Sequence, residues 1–279
     1  MSGIAVRALR LQEVEQLVDW AAIEGWNPGL GDAEAFRCAD PDGFIGCFVN
    51  EELAAGISAV AYDEGFGFIG LYICQPRFRG QGFGRRVWDA GMAYLGDRTI
   101  GLDGVSEQQA NYASIGFAPH YETVRWSGSP AAVPSPPQNM LPVEDGDHAD
   151  LLAFDRLHFP AARETFLKTW LSPPHKAFLA RDAGGIAGYA VIRGCREGFK
   201  IGPLFAAGDD IAGELLSACL ASAPQELIHI DVPRYQVGFR ERLVHLGFLP
   251  GFTTMRMYRG AAPDLADSGV YGITTLELG

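Results

Sequence analysis

The sequence predicts an α/β (α+β) fold built twice in one chain, and three observations carry that reading. Segments with strand-like and helix-like apolar spacing alternate through the 279 residues. Their order repeats at a nearly constant offset. A glycine-rich basic turn sits where the first copy passes from a strand into a helix.

Ile4 to Leu9 alternates as an edge strand, and Leu11 to Trp26 has helical apolar spacing at Leu11, Val14, Leu17, Val18, Ala21 and Ala22. Phe44 to Asn50, Leu53 to Tyr62 and Phe66 to Cys74 read as sequential strands with short turns. Arg85 to Leu95 is a helix, Ile100 to Val105 a buried strand, and a helix carrying Tyr112 precedes a strand over Thr123 to Trp126. The second half repeats the order. Met140 to Val143 is a strand and Asp150 to Leu171 mostly helix. Ala177 to Arg181, Ile186 to Arg193 and Phe199 to Phe205 are strands. Asp210 to Ser222 is a helix with Asp209 as its N-cap, and Leu227 to Val232 is a strand. Gly238 to Leu246 is a helix and Thr253 to Tyr258 a strand, and the tail Val270 to Leu278 is β-prone.

Residue matches support the duplication. Ala55-Gly56-Ile57-Ser58-Ala59-Val60 aligns with Ala187-Gly188-Tyr189-Ala190-Val191-Ile192, an offset of 132 from Gly56 to Gly188. Ile69-Gly70-Leu71-Tyr72-Ile73 aligns with Ile201-Gly202-Pro203-Leu204-Phe205 at the same offset. Ile115-Gly116-Phe117 aligns with Leu246-Gly247-Phe248 at 131, from Gly116 to Gly247. Such a period is far longer than a solenoid unit and implies a repeated domain. The expected division is a first domain over 1–128, a Pro/Ser-rich linker over 129–138 and a second domain over 139–279.

Composition narrows the function. Five cysteines, odd in number and without C-x-x-C spacing, argue against a disulfide framework or zinc site and favour a reducing, cytoplasmic setting. The six histidines are scattered, so no metal is expected. No apolar run approaches the length of a membrane span, and the N-terminus lacks a secretory pattern. A net charge of −12 disfavours nucleic acid and is compatible with cationic amine substrates.

On this acidic chain, Cys74-Gln75-Pro76-Arg77-Phe78-Arg79-Gly80-Gln81-Gly82-Phe83-Gly84 is a concentrated basic turn, continued by Arg85 and Arg86. Its glycines leave backbone N–H groups unshielded at a helix N-terminus, a site for phosphate. The Walker pattern is absent, and the spacing misses G-x-G-x-x-G. Arg79-x-x-Gly82-x-Gly84 instead resembles the acyl-CoA loop of the GNAT N-acetyltransferase superfamily, and Tyr112-Ala113-Ser114-Ile115-Gly116-Phe117 resembles the Y-x-x-x-G-F ending of that family's next helix.

The resemblance implies mixed, mostly antiparallel central sheets flanked by helices. It implies that backbone amides of Arg79, Gly80, Gln81, Gly82, Phe83 and Gly84 hold the pyrophosphate of acetyl-CoA. It further implies that the strand end Tyr72, Ile73 and Cys74 splays and pairs with the pantetheine arm. Tyr112 would protonate the leaving thiolate, its alternative being a core aromatic. The β-strand that often carries the family's catalytic Glu has no carboxylate between Phe66 and Cys74. Asp103 is the leading base, against a structural role for it or a water chain. Asp231, in Ile230-Asp231-Val232, matches Asp103 in the second half and points to the structural role. Trp26, Asn27 and Asp32 lie on the loop that usually borders the acceptor pocket, although Trp26 equally suits a core anchor and Asn27 a turn.

The second half has Ala206-Ala207-Gly208-Asp209-Asp210 in place of the basic turn, and Leu243 in place of Tyr112. It resembles the divergent C-terminal domain of tandem GNAT proteins, and Glu24-Gly25-Trp26-Asn27-Pro28-Gly29 resembles a hallmark of one bacterial-type subgroup. The implied activity is acetyl transfer from acetyl-CoA to a small-molecule primary amine. Acetylation of protein Lys or N-termini, and acyl-CoA sensing without turnover, remain the alternatives. The expected state is a monomer or weak homodimer.

Overall fold

The computed structural model describes residues 3–130 and 140–279; most of the expected linker lies outside the described residues. The first half comprises β1 (Ile4–Ala8), α1 (Leu11–Ile23), α2 (Asp32–Ala39), β2 (Phe44–Val49), β3 (Glu52–Ala61), β4 (Phe66–Cys74), α3 (Phe83–Leu95), β5 (Thr99–Val105), α4 (Ser106–Ser114) and β6 (Ala118–Gly128). The second comprises β7 (Leu141–Pro142), α5 (His148–Asp155), α6 (Glu164–Trp170), β8 (Lys176–Asp182), β9 (Gly185–Gly194), β10 (Phe199–Ala206), α7 (Asp209–Ala221), β11 (Ile228–Pro233), α8 (Val237–His245), β12 (Leu249–Arg259) and β13 (Val270–Gly272).

The expected strands and helices are present, with local differences. α2 was not expected; its apolar side chains Ala35 and Phe36 are buried, and Phe36 stacks on Trp170 of the other half. The helix expected over Asp150 to Leu171 is two helices, because the chain turns through Pro160 between α5 and α6. Asp209 is the first residue of α7 rather than its N-cap, and its carboxylate accepts the Tyr271 hydroxyl at 2.6 Å.

The strands form one continuous sheet, in the order β1-β2-β3-β4-β5-β12-β6-β11-β10-β9-β8-β7 with β13 beside β10. The halves therefore exchange their last long strands: β12 lies between β5 and β6, and β6 pairs with β11. Two buried bidentate ion pairs sit at this exchange. Arg256 on β12 donates to Asp103 on β5 at 2.9 and 2.8 Å, while Arg125 on β6 donates to Asp231 on β11 at 2.8 and 2.9 Å. Each Asp lies directly opposite its Arg in the ladder, so the two halves are locked by equivalent contacts in the two copies. Apolar clusters follow the same exchange. Val124 and Trp126 pack in the second half's core, and Met257 in that of the first.

Candidate active site

β4 and β5 run parallel and pair from Phe66↔Thr99 to Ile69↔Leu102, after which they diverge. Beyond that point β4 pairs only with β3, through a register shift near Leu71, which has φ of +46°. The backbone from Gly70 to Cys74 is thus left with one unpaired edge, as the resemblance implies. Gln75 N–H is given to the Ala54 carbonyl at 3.0 Å. Antiparallel alternation then turns the Cys74 N–H away from β3, toward the splay.

The glycine-rich turn follows this edge. Gly80 and Gly82 have φ of +75° and +83°, and a Cβ on either would meet nothing within 4 Å. Their absence of side chain therefore serves the backbone conformation and leaves the turn's outer surface open. Gly82 caps α3, whose first N–H groups have no acceptor within the helix. Arg79 donates through Nε to the Cys74 carbonyl at 3.0 Å and pairs with Glu24, which fixes the loop against the strand end. Arg85 and Arg86 are exposed. These groups fit a pyrophosphate: open N–H donors, a helix dipole and exposed cations lie at one turn. Gly84 differs from these two, because a Cβ there would lie in a tight contact, 3.0 Å from the Tyr72 hydroxyl.

A cavity of about 500 Å³ occupies the splay. Gly70 to Cys74 of β4 form one wall; Asp103 and Tyr112 lie on another, and Phe252, Thr254, Leu276 and Glu277 from the second half also line it. Tyr112 is half-buried and stacks on Trp88 with ring centroids 5.6 Å apart. Burial, reinforced by nearby Tyr72, pushes its hydroxyl up to about 12 and keeps it protonated at neutral pH. It is thereby suited to donate rather than accept a proton. Burial likewise raises the Cys74 thiol, so a thiolate nucleophile is disfavoured there.

The remaining expected site residues divide. Trp26 lines the cavity. Asn27 does not; it has φ of +50°, and its side chain exchanges hydrogen bonds with the backbone of Glu197 at 3.0 Å each. Asp32 must be corrected as an acceptor-pocket residue. It is fully buried, accepts Arg193 Nε at 2.8 Å and the Gly29 N–H at 2.7 Å, and ties α2 to β9. Asp103 touches the cavity, but both its oxygens are held by Arg256 and its side chain is buried. Burial pushes its carboxyl up and Arg256 opposes this. The Asp231–Arg125 pair repeats the arrangement in the half that lacks the basic turn, so the shared Asp is architectural and not free to serve as base.

Two polar groups in the cavity wall were missed. Thr254 Oγ1 and Glu277 Oε1 are buried with no hydrogen-bond partner among the described residues. The β-prone tail was the sequence signal, but not where it goes. In the second half, β10 and β11 diverge after Ile201↔Ile230 just as β4 and β5 do, and β13 fills that splay by pairing with β10. Ile273 N–H then bonds to the Asp231 carbonyl at 3.0 Å. The copied cleft is thus closed by the chain itself, which agrees with its missing basic turn. The tail runs on from this plug to the first cleft.

Comparison with known proteins agrees with this geometry. Residues 11–120 match the model of the acetyltransferase (GNAT) family, and residues 151–272 match an acetyltransferase (GNAT) domain. The holothin acyltransferase of Pseudoalteromonas sp. (strain SANK 73390) is 33% identical over 271 residues, covering 96% of this chain and 92% of that protein. The Bacillus subtilis (strain 168) protein YitH, described as an uncharacterized N-acetyltransferase, is 25% identical over 248 residues, 86% of each chain. In fold, a putative acetyltransferase from Pyrococcus horikoshii superposes with a TM-score of 0.84 at 19% identity, covering 99% of this chain and 96% of its own. A tandem GNAT protein from the clavulanic acid biosynthesis pathway gives 0.64 at 16% identity, covering 94% and 100%. The chain belongs to the GNAT acyltransferase family, with two GNAT domains in tandem.

Proposed function

We propose that the first half transfers an acetyl group from acetyl-CoA to the amine of a small molecule, by direct attack of nitrogen on the thioester. One observation carries the choice of acceptor. The cavity beside the splayed strand is lined on its acceptor side by Phe252, Thr254, Leu276 and Glu277 of the second half. A protein acetyltransferase needs a groove open to an extended chain, whereas a cleft partly closed by residues of the second half suits a small molecule.

The roles follow from the walls. Gly80, Gln81, Gly82, Phe83 and Gly84 would hold the pyrophosphate through N–H groups, with Arg79 bracing the turn. Tyr72, Ile73 and Cys74 offer the free strand edge to the pantetheine arm. The Cys74 N–H is aimed to stabilise the developing oxyanion. Tyr112, protonated at neutral pH, is the donor to the thiolate. Trp26 and Phe252 supply aromatic walls for the acceptor. With its walls supplied by one chain, the cavity suits a monomeric enzyme.

The test is release of CoA thiol from acetyl-CoA with a panel of primary amines, amino acids, polyamines and peptides bearing Lys or a free N-terminus. Transfer to small amines and not to peptides is expected. Tight acetyl-CoA binding without release across the panel would favour an acyl-CoA sensor instead.

A further inference from the structure

We propose that Glu277, delivered by the C-terminal tail, is the carboxylate that binds the acceptor ammonium and takes its proton. The inference rests on the acyl-transfer reading above and deepens it. β4 has no carboxylate, and Asp103 is committed to Arg256, so neither strand of the splay supplies a free base.

The tail supplies one across the sheet. Gly70 on β4 and Gly202 on β10 are equivalent positions of the repeat, and each is covered by tail backbone. A Cβ on Gly202 would lie 2.4 Å from the Thr274 carbonyl oxygen, and one on Gly70 would lie 2.1 Å from that of Glu277. Three residues of chain thus span the step from the closed cleft to the working one. The tail is firmly held: Arg163 donates to Thr274 Oγ1 at 2.9 Å, Ser58 to the Glu277 carbonyl at 3.3 Å and Tyr62 to the Leu278 carbonyl at 2.9 Å. Glu277 is 3% exposed and lines the cavity, and its Oε1 has no hydrogen-bond partner among the described residues.

Surrounding charge favours an anion that can still accept a proton. Arg125 on β6, Arg193 on β9, Lys200 on β10 and Asp32 on α2 face Glu277. Arg125 and Arg193 are already paired with Asp231 and Asp32, while Lys200 Nζ is bound to the carbonyls of Trp26 and Asn27 at 3.3 and 2.8 Å. Lys200 is thus the one cation of the three without a carboxylate, and an ionised Glu277 balances it. Burial nevertheless pushes the Glu277 carboxyl above its ordinary value, which suits it to a proton from an amine.

The step balances as follows. Glu277 takes one proton from the ammonium, freeing the nitrogen lone pair. The N–C bond forms at the thioester carbonyl, and the C–S bond breaks with its electron pair on sulfur. Tyr112 protonates that sulfur and recovers the second nitrogen proton. Glu277 returns its proton to solvent.

The experiment compares Glu277→Gln with wild type, using acetyl-CoA and the best alkylamine of the panel, from pH 6 to pH 10, with CoA affinity measured by calorimetry. CoA affinity is expected to be unchanged. At pH 7, kcat/KM should fall about 10²–10³-fold, and it should recover toward wild type as pH approaches the amine pKa near 10.4, where the acceptor deprotonates itself. An aromatic amine acceptor, neutral already, should show little loss. Equal pH profiles for variant and wild type overturn the role of Glu277 and leave acyl transfer standing. No transfer by wild type overturns both. Should Glu277→Gln lose CoA binding, Glu277→Asp decides by the same profile. A lowered rate with its acid limb retained supports the proposal, and an unaltered rate and profile overturn it.

Discussion

Replacing Arg256 by Met isolates the energetics of the strand exchange. In the native protein the Arg256 and Asp103 side chains are 6% and 0% exposed and joined by two hydrogen bonds. Removing the guanidinium leaves a buried carboxylate unpaired, which costs about 3–5 kcal/mol. For a chain of this size that is roughly 10 °C in Tm. The pH dependence follows from linkage. Without Arg256, the folded-state pKa of Asp103 rises further above the unfolded value near 3.9. A carboxylate raised in this way imposes no penalty below the unfolded pKa. The penalty grows by about 1.4 kcal/mol per pH unit until the folded pKa is reached. Urea unfolding followed by tryptophan fluorescence should therefore show a loss at pH 7 exceeding that at pH 5 by more than about 1 kcal/mol. Combining Arg256→Met with Asp103→Leu removes both charges and should restore more than half of the loss. A single-variant loss under about 1 kcal/mol, or one independent of pH, would refute the view that this pair is a buried lock.

Three further outcomes are expected. Expressed separately, residues 1–130 and 140–279 should each fail to fold, because β5 and β11 lose the strands that cover them; co-expression should recover a soluble complex on size-exclusion chromatography. Gly82→Ala places an L-residue at φ of +83° and should cost roughly 1 kcal/mol of stability by thermal denaturation. Its CoA Kd should rise several-fold by calorimetry, because the added methyl stands in the open face of the turn. Tyr112→Phe should lower kcat about 10²-fold in the thiol-release assay while leaving CoA affinity unchanged.

Local pattern made most elements legible. Alternation marked β1, apolar runs between short turns marked β2, β3 and β9, and the i, i+3, i+4 stripe of Val14, Leu17, Val18 and Ala21 marked α1, where all four are buried. The basic turn was legible because glycine spacing reports backbone conformation directly, and the splay was legible only through the family resemblance. The acceptor side was less so. Asp32 looked like a cavity residue because a loop carboxylate following an aromatic can equally face solvent, ligand or core. Only its contact with Arg193, distant in the chain, fixes it in the core.

By itself the sequence determined the family, the duplication and the inequality of the halves. Each is written in spacings of a few residues: Arg79 to Gly84, Tyr112 to Phe117, and the changed residues Ala206 to Asp210. Tertiary structure alone decided that the halves share one sheet, that Asp103 and Asp231 are locked by Arg256 and Arg125, and that the tail closes one cleft and lines the other with Glu277. The physical reason is range. A turn or a helix face is set by neighbours in the chain, whereas Asp32, Asp103 and Asp231 are each fixed by an arginine more than a hundred residues away.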